Sequence, residues 1–138
     1  MLPLIVTVIL NTNRRDDTLA CLASLEQNTY KRHQVLVLDN ASTDGSSEAI
    51  RAAYPAVTLV PLHENRGYAG NNNVGIAQAM ALGADWVFVL NEDTIVAPEC
   101  LQQLAAYGEA HPEVGIIGPM VYHADEPDII QSAGGRMD

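Results

Sequence analysis

The sequence predicts an α/β fold, a mostly parallel sheet in three layers with helices on both faces. Three observations carry this. Short apolar runs recur at Leu4–Leu10, Gln34–Leu38, Val57–Leu62 and Trp86–Leu90, spaced by roughly 20–30 residues, the interval of a strand–helix–strand crossover. The stretches between them carry helix signals rather than tight hairpin turns. A chain of 138 residues with 48% hydrophobic content is the size and composition of one folded domain, here residues 1–138.

Taken in order, Leu4–Leu10 is the first strand and 11–15 the loop leaving it. Asp16 or Asp17 caps a helix whose Leu19, Leu22 and Leu25 share one face. Gln34–Leu38 is the second strand; 39–45 is a polar loop where Thr43 or Asp44 caps the next helix. Ile50 and Ala53 carry that short helix, and Pro55 stops it. Val57–Leu62 is the third strand. The segment 63–73, rich in Gly and Asn, reads as a loop, followed by a helix with Val74, Ala77 and Met80 inward. Trp86–Leu90, five apolar residues without a break, reads as a strand buried on both faces. Pro98 suits the first turn of a helix with Leu101 and Leu104 facing the core. Val114–Tyr122 is expected to be a fifth strand, broken near Pro119, and the remainder has a weak pattern.

Charge narrows the partners. Seventeen acids oppose seven bases, a formal charge of −10, and Lys31 is the only lysine. No basic stripe is available for nucleic acid. An acidic protein that binds an anionic nucleotide needs a cation or backbone N–H groups to offset repulsion. Cys21 and Cys100 lie in helical patterns and lack metal or disulfide spacing, which fits buried thiols in a reducing cytoplasm. The four histidines, His33, His63, His111 and His123, are scattered without ligand spacing. Leu2–Leu10 is too short to span a bilayer.

Every polar cluster follows a strand: 11–15, 39–44, 65–73 and 91–94. Parallel strands place all four at one edge of the sheet, where open α/β sheets bind ligands. No G-x-G-x-x-G follows the first strand and no P-loop is present, which excludes the usual dinucleotide and P-loop readings. Asn91-Glu92-Asp93-Thr94 offers hard oxygens to a divalent cation; Asp93 or Thr94 merely capping the next helix is the alternative.

The order of V-T-V-I-L-N-T-N-R, V-L-V-L-D-N-A-S-T-D-G, N-R-G-Y-A-G-N-N-N-V-G and L-N-E-D-T resembles inverting glycosyltransferase family 2, over nearly the whole chain. The segment 129–135 resembles the branch that includes rhamnosyltransferases. The resemblance implies a GT-A fold and transfer of a sugar, with inversion, from a dTDP- or UDP-linked donor to a saccharide or lipid-linked acceptor. It implies Mg2+ or Mn2+ as cofactor, held by Asp93 at the family's D-x-D position, with Asn91 in place of the first Asp and Glu92 in reserve. Asp39 resembles the acid that binds the nucleobase, where a carboxylate accepts from a pyrimidine N3–H; satisfying its own turn is the alternative. Asn11 and Thr12 resemble positions around base and ribose, and Thr12 stands where many relatives carry an aromatic. Asn65 and Gly67 resemble the N-x-G element beside the donor. Asn73 is expected to start a helix facing phosphate. Arg66 either pairs with phosphate or is an ordinary surface arginine, and Tyr68 either contacts nucleotide or packs on the next helix. The family's catalytic base lies in a later segment, so the expectation is an N-terminal part of a longer enzyme: no catalytic residue here, the base beyond Asp138, donor binding without transfer. The full-length enzyme would work in the cytoplasm or at the inner face of the membrane. A non-catalytic module of the same fold, binding nucleotide or a partner, is the rival. A nucleotidyltransferase would begin with a Gly-rich basic loop, which is absent.

Overall fold

A computed structural model describes residues 1–134. Four parallel strands form the central sheet: β1 (Ile5–Asn11), β2 (His33–Asp39), β3 (Thr58–Pro61) and β4 (Trp86–Asn91), in the spatial order β3-β2-β1-β4. Four helices join or follow them: α1 (Arg15–Glu26), α2 (Ser46–Ala53), α3 (Gly67–Ala81) and α4 (Cys100–Ala110). A two-stranded antiparallel ribbon, β5 (Val121–Tyr122) and β6 (Ile130–Ser132), comes last. Gly135 of the segment 129–135, and Asp138, lie outside the described residues.

Strand alternation divides the core. Ile9 and Val37 pack with Leu22 and Leu25 of α1 and Ile50 of α2, and Ile5 packs with Leu101 and Ala105 of α4. Val6, Val8, Leu36 and Leu38 point the other way, onto Ala79 of α3. Helices therefore cover both faces, as the sequence predicts.

Four local expectations are corrected. β1 is the strand sealed on both faces; β4 is an edge of this sheet, its apolar residues only partly buried and Val89 40% exposed. Val114–Tyr122 is not a continuous fifth strand. Residues 114–120 cross the α4 side instead, where Ile116, Ile117 and Pro119 line a hollow of about 490 Å3 with Trp86 and Leu101; Pro119 cannot donate to a ladder, and the flanking glycines favour turns. Helix α3 begins at Gly67, so 67–73 is helix rather than loop. Its inward residues are Asn71, Asn72, Gly75 and Ala79, while Ala77 and Met80 are exposed. Tertiary contact overrides the poor helix propensity of Gly and Asn here, because only glycine at position 75 lets the helix lie against Val8 and Leu38. Asp16 and Asp17 sit in the first turn of α1 without capping it; the N-cap position is Arg14.

At the opposite edge from the polar loops, burial lowers the His33 pKa to about 4. The Asn28 side-chain amide donates to His33 Nδ1 (3.3 Å), leaving Nε2–H to donate to Thr7 Oγ1 (2.8 Å). Protonating Nδ1 would set two donors against each other. Between pH 6.5, the ordinary value, and about 4, the unfolded chain binds a proton that the folded chain refuses. Stability from this group therefore falls as pH drops through that window and levels off below it. His33→Gln is expected to flatten the slope of thermal midpoint against pH between 6.5 and 4, measured by circular dichroism.

Candidate active site at the carboxyl edge of the sheet

The chain runs β1, β2, β3 in one direction across the sheet and returns to the far side of β1 for β4. The strand order reverses between β1 and β4, and ligands of open α/β sheets bind outside the strand ends at such a point. Register fixes what stands there: Asn11 lies opposite Asp39 across β1·β2, and Leu10 opposite Asn91 across β1·β4. Two strand spacings, about 10 Å, separate the ends of β2 and β4.

Asn11 is fully buried. Its amide donates to Asp39 Oδ1 (3.0 Å) and Ser42 Oγ (3.1 Å), and its oxygen accepts from Thr18 (2.8 Å). With both ends engaged and none of it exposed, the Asn11 side chain is enclosed rather than open to a base or ribose, and it braces Asp39. Asp39 itself is 7% exposed, and its second oxygen accepts the Ser42 N–H (3.3 Å). The carboxylate thus braces its own turn, while two oxygens with about four acceptor positions leave capacity for another donor.

Two loops interlock above these residues. Asn13 Oδ1 accepts the Thr43 N–H (2.7 Å), and the Asn13 N–H donates to Ser42 Oγ (3.0 Å). Asp44 accepts the N–H groups of Arg15 (2.9 Å) and Ser46 (3.0 Å) and the Ser46 hydroxyl. Those hydrogen bonds, the Ser46 hydroxyl first, hold its carboxyl below the usual range. Asn13 and Ala41 both adopt φ +52°, a conformation that side chains with a Cβ rarely take and that clusters at functional sites. Thr12 is exposed and accepts from the Asn40 amide (3.3 Å).

Across the crevice, Gly67 turns the chain into α3 with φ +73°, open to glycine without strain. Asn65 Oδ1 accepts the Gly67 N–H (3.0 Å) and the Asn71 amide (3.1 Å), and Asn71 Oδ1 accepts the Arg66 N–H (2.9 Å). Asn73 is exposed on the second turn of α3 rather than at its start, where backbone N–H groups are consumed within the helix; its expected backbone contact with phosphate is lost. Arg66 pairs with Glu64 (3.1 Å) on the surface. Tyr68, 60% exposed in the first turn of α3, reaches β4: its hydroxyl donates to Asn91 Oδ1 (2.7 Å).

At the end of β4 the turn begins at Glu92, and Asp93 is exposed within it. The Asn91 carbonyl accepts from Thr94 Oγ1 (2.8 Å) and from the Cys21 thiol (3.9 Å). Burial, with the nearby negative charges of Glu92 and Asp93, raises the Cys21 pKa, so the thiol stays a donor. Among the described residues, no group of three or more His, Cys, Asp or Glu side chains is arranged to hold a metal ion. What the turn offers is one exposed carboxylate, Asp93, with Glu92 beside it. That donor set suits a hard cation whose remaining positions are filled by phosphate oxygens and water, the usual arrangement for Mg2+, and does not form an all-protein cage. The site missed by sequence reasoning is the support: Thr18, Ser42, Asn13, Asn71 and the Tyr68–Asn91 link join across separations that no local pattern marks.

Comparison with known proteins bears on this edge. The family model described as "Glycosyl transferase family 2" matches residues 6–135. An N-acetylglucosaminyl-diphospho-decaprenol L-rhamnosyltransferase of Mycobacterium tuberculosis is 35% identical over 112 residues, 75% of this chain and 36% of that protein. Galactofuranosyltransferase GlfT1 of Mycolicibacterium smegmatis is 28% identical, over 89% of this chain and 41% of its own. The chain thus spans less than half the length of these relatives. Mannosyltransferase PcManGT of Pyrobaculum calidifontis, solved with GDP-Man and Mn2+, superposes with a TM-score of 0.70 at 25% identity, covering 78% of this chain and 33% of that one. S. aureus TarS 1-349 with UDP-GlcNAc superposes with a TM-score of 0.67 at 22% identity, over 79% and 32% of the two chains, a likeness of fold.

Proposed function

Because the chain belongs to glycosyl transferase family 2 and has the GT-A fold, we propose that it forms the donor-binding half of an inverting glycosyltransferase that takes a nucleotide-diphosphate sugar. The observation that supports this most is that Asp39 and Asn91 end the strands on either side of β1 at the carboxyl edge, around the switch point, with Tyr68, next to Gly67, reaching Asn91 and Asp93 in the turn that follows. In this reading Asp39, braced by Asn11, accepts from the N3–H of uracil or thymine, and Thr12 lies beside the ribose. Asp93 holds Mg2+ or Mn2+, which when bound neutralises charge on the departing diphosphate. The acceptor is a saccharide or lipid-linked sugar, a chemistry named in the rhamnosyltransferase relative. Donor binding by this chain without transfer, and work of the enzyme in the cytoplasm or at the inner membrane face, are part of the same proposal.

Calorimetric titration with UDP and dTDP, with Mn2+ and with EDTA, tests this. Affinity for at least one nucleotide that rises with Mn2+ is expected. Binding indifferent to the cation favours the non-catalytic module, and binding of neither nucleotide defeats the proposal.

A further inference from the structure

The Tyr68–Asn91 link stands out because it crosses the crevice at the switch point and both residues are exposed. Asn91 is held from three sides. Its backbone carbonyl is fixed by Thr94 and Cys21, and its side-chain oxygen receives the Tyr68 hydroxyl at 2.7 Å. Tyr68 is itself anchored: the amide of Asn72, a residue 5% exposed, donates to the Tyr68 carbonyl (3.0 Å). The Tyr68 hydroxyl takes one of the two acceptor positions on the Asn91 oxygen and fixes the carboxamide plane, which keeps its N–H2 group available to donate to a ligand in the crevice. That group donates hydrogen bonds and cannot ligate a cation.

We infer that Tyr68 is a positioning residue: it turns the Asn91 carboxamide so that the N–H2 group meets an oxygen of the donor's diphosphate, leaving the cation to Asp93. This rests on the nucleotide-sugar reading of the edge and assigns within it a role that the cation does not mediate. Tyr68 acts on the nucleotide only through Asn91.

A double-mutant cycle on the 138-residue chain tests this, with UDP as probe in EDTA and in Mn2+. Tyr68→Phe is expected to weaken UDP binding by about 3–10-fold in EDTA, a part of the worth of the Asn91 hydrogen bond to a charged phosphate, which the loss of positioning weakens without removing. In an Asn91→Ala background the same change is expected to cost less than about 2-fold, because the group it positions is gone. Without any ligand, the side-chain N–H2 pair of Asn91 in 15N–1H spectra is expected to shift toward the position of a solvated carboxamide in Tyr68→Phe, a change that general loss of stability would not confine to one side chain. Equal losses in both backgrounds, or an unchanged Asn91 N–H2 pair, overturn the inference while UDP binding by the unaltered chain still upholds the nucleotide reading. Failure of the unaltered chain to bind UDP or dTDP overturns both.

Discussion

Asp93→Ala is expected to cost about 10–100-fold in affinity for UDP or dTDP in the presence of Mn2+, and to leave affinity in EDTA equal or slightly improved. The opposite signs follow from charge. The chain carries −10, and Asp93 adds to the repulsion that a diphosphate meets on approaching the end of β4. With a cation in place the same carboxylate becomes a ligand, and its loss removes the bridge between protein and phosphates. Asp93 is exposed, so its truncation leaves no buried group unsatisfied and little of the effect arises from unfolding. Calorimetry in the two buffers separates the contributions. A loss of equal size in EDTA would mean that Asp93 shapes the turn rather than holding a cation.

Gly75→Val is expected to destabilise the fold by about 3 kcal/mol, lowering the thermal midpoint by on the order of 10 °C. A Cβ at position 75 would lie 2.4 Å from Val8 Cγ1 and 2.9 Å from Leu38 Cδ1. Both neighbours are fully buried in the middle of the sheet and have no free volume to retreat into. The gain in helix propensity over glycine, under ~1 kcal/mol, does not offset that clash. The site feels it too. Lifting α3 from β1 and β2 moves Asn65, Gly67 and Tyr68 away from Asn91, so UDP affinity is expected to fall with the midpoint. Thermal denaturation followed by circular dichroism measures the first effect; a midpoint at or above that of the unaltered chain would contradict it.

The sheet was legible because its signal is local. Apolar runs bounded by polar clusters marked all four parallel strands to within one or two residues, and β1 carries the pattern most fully because both of its faces are covered. The carboxyl-edge placement of Asp39 and Asn91 followed from topology alone, since parallel strands must end together. What failed depended on tertiary contact. Gly67 to Asn73 looks like loop by propensity, yet the close approach at Gly75 makes it helix and moves Asn73 off the helix start. Asn11 resembles a position around base and ribose, yet Thr18, seven residues on, and Ser42, thirty-one residues on, enclose it. Val114–Tyr122 had strand composition, but its glycines and Pro119 turn it across α4. The Tyr68–Asn91 link joins residues 23 apart, and no sequence period encodes such a pairing.

The claim on which the account depends is that one crevice, at the carboxyl edge between β1 and β4, receives the nucleotide diphosphate. A 15N–1H titration of the chain with UDP or dTDP in Mg2+ locates it most directly. The account predicts that perturbed amides gather at 11–13, 39–42, 65–68 and 91–94. Perturbation gathered at the other end of the strands, around His33 and Trp86, would contradict it.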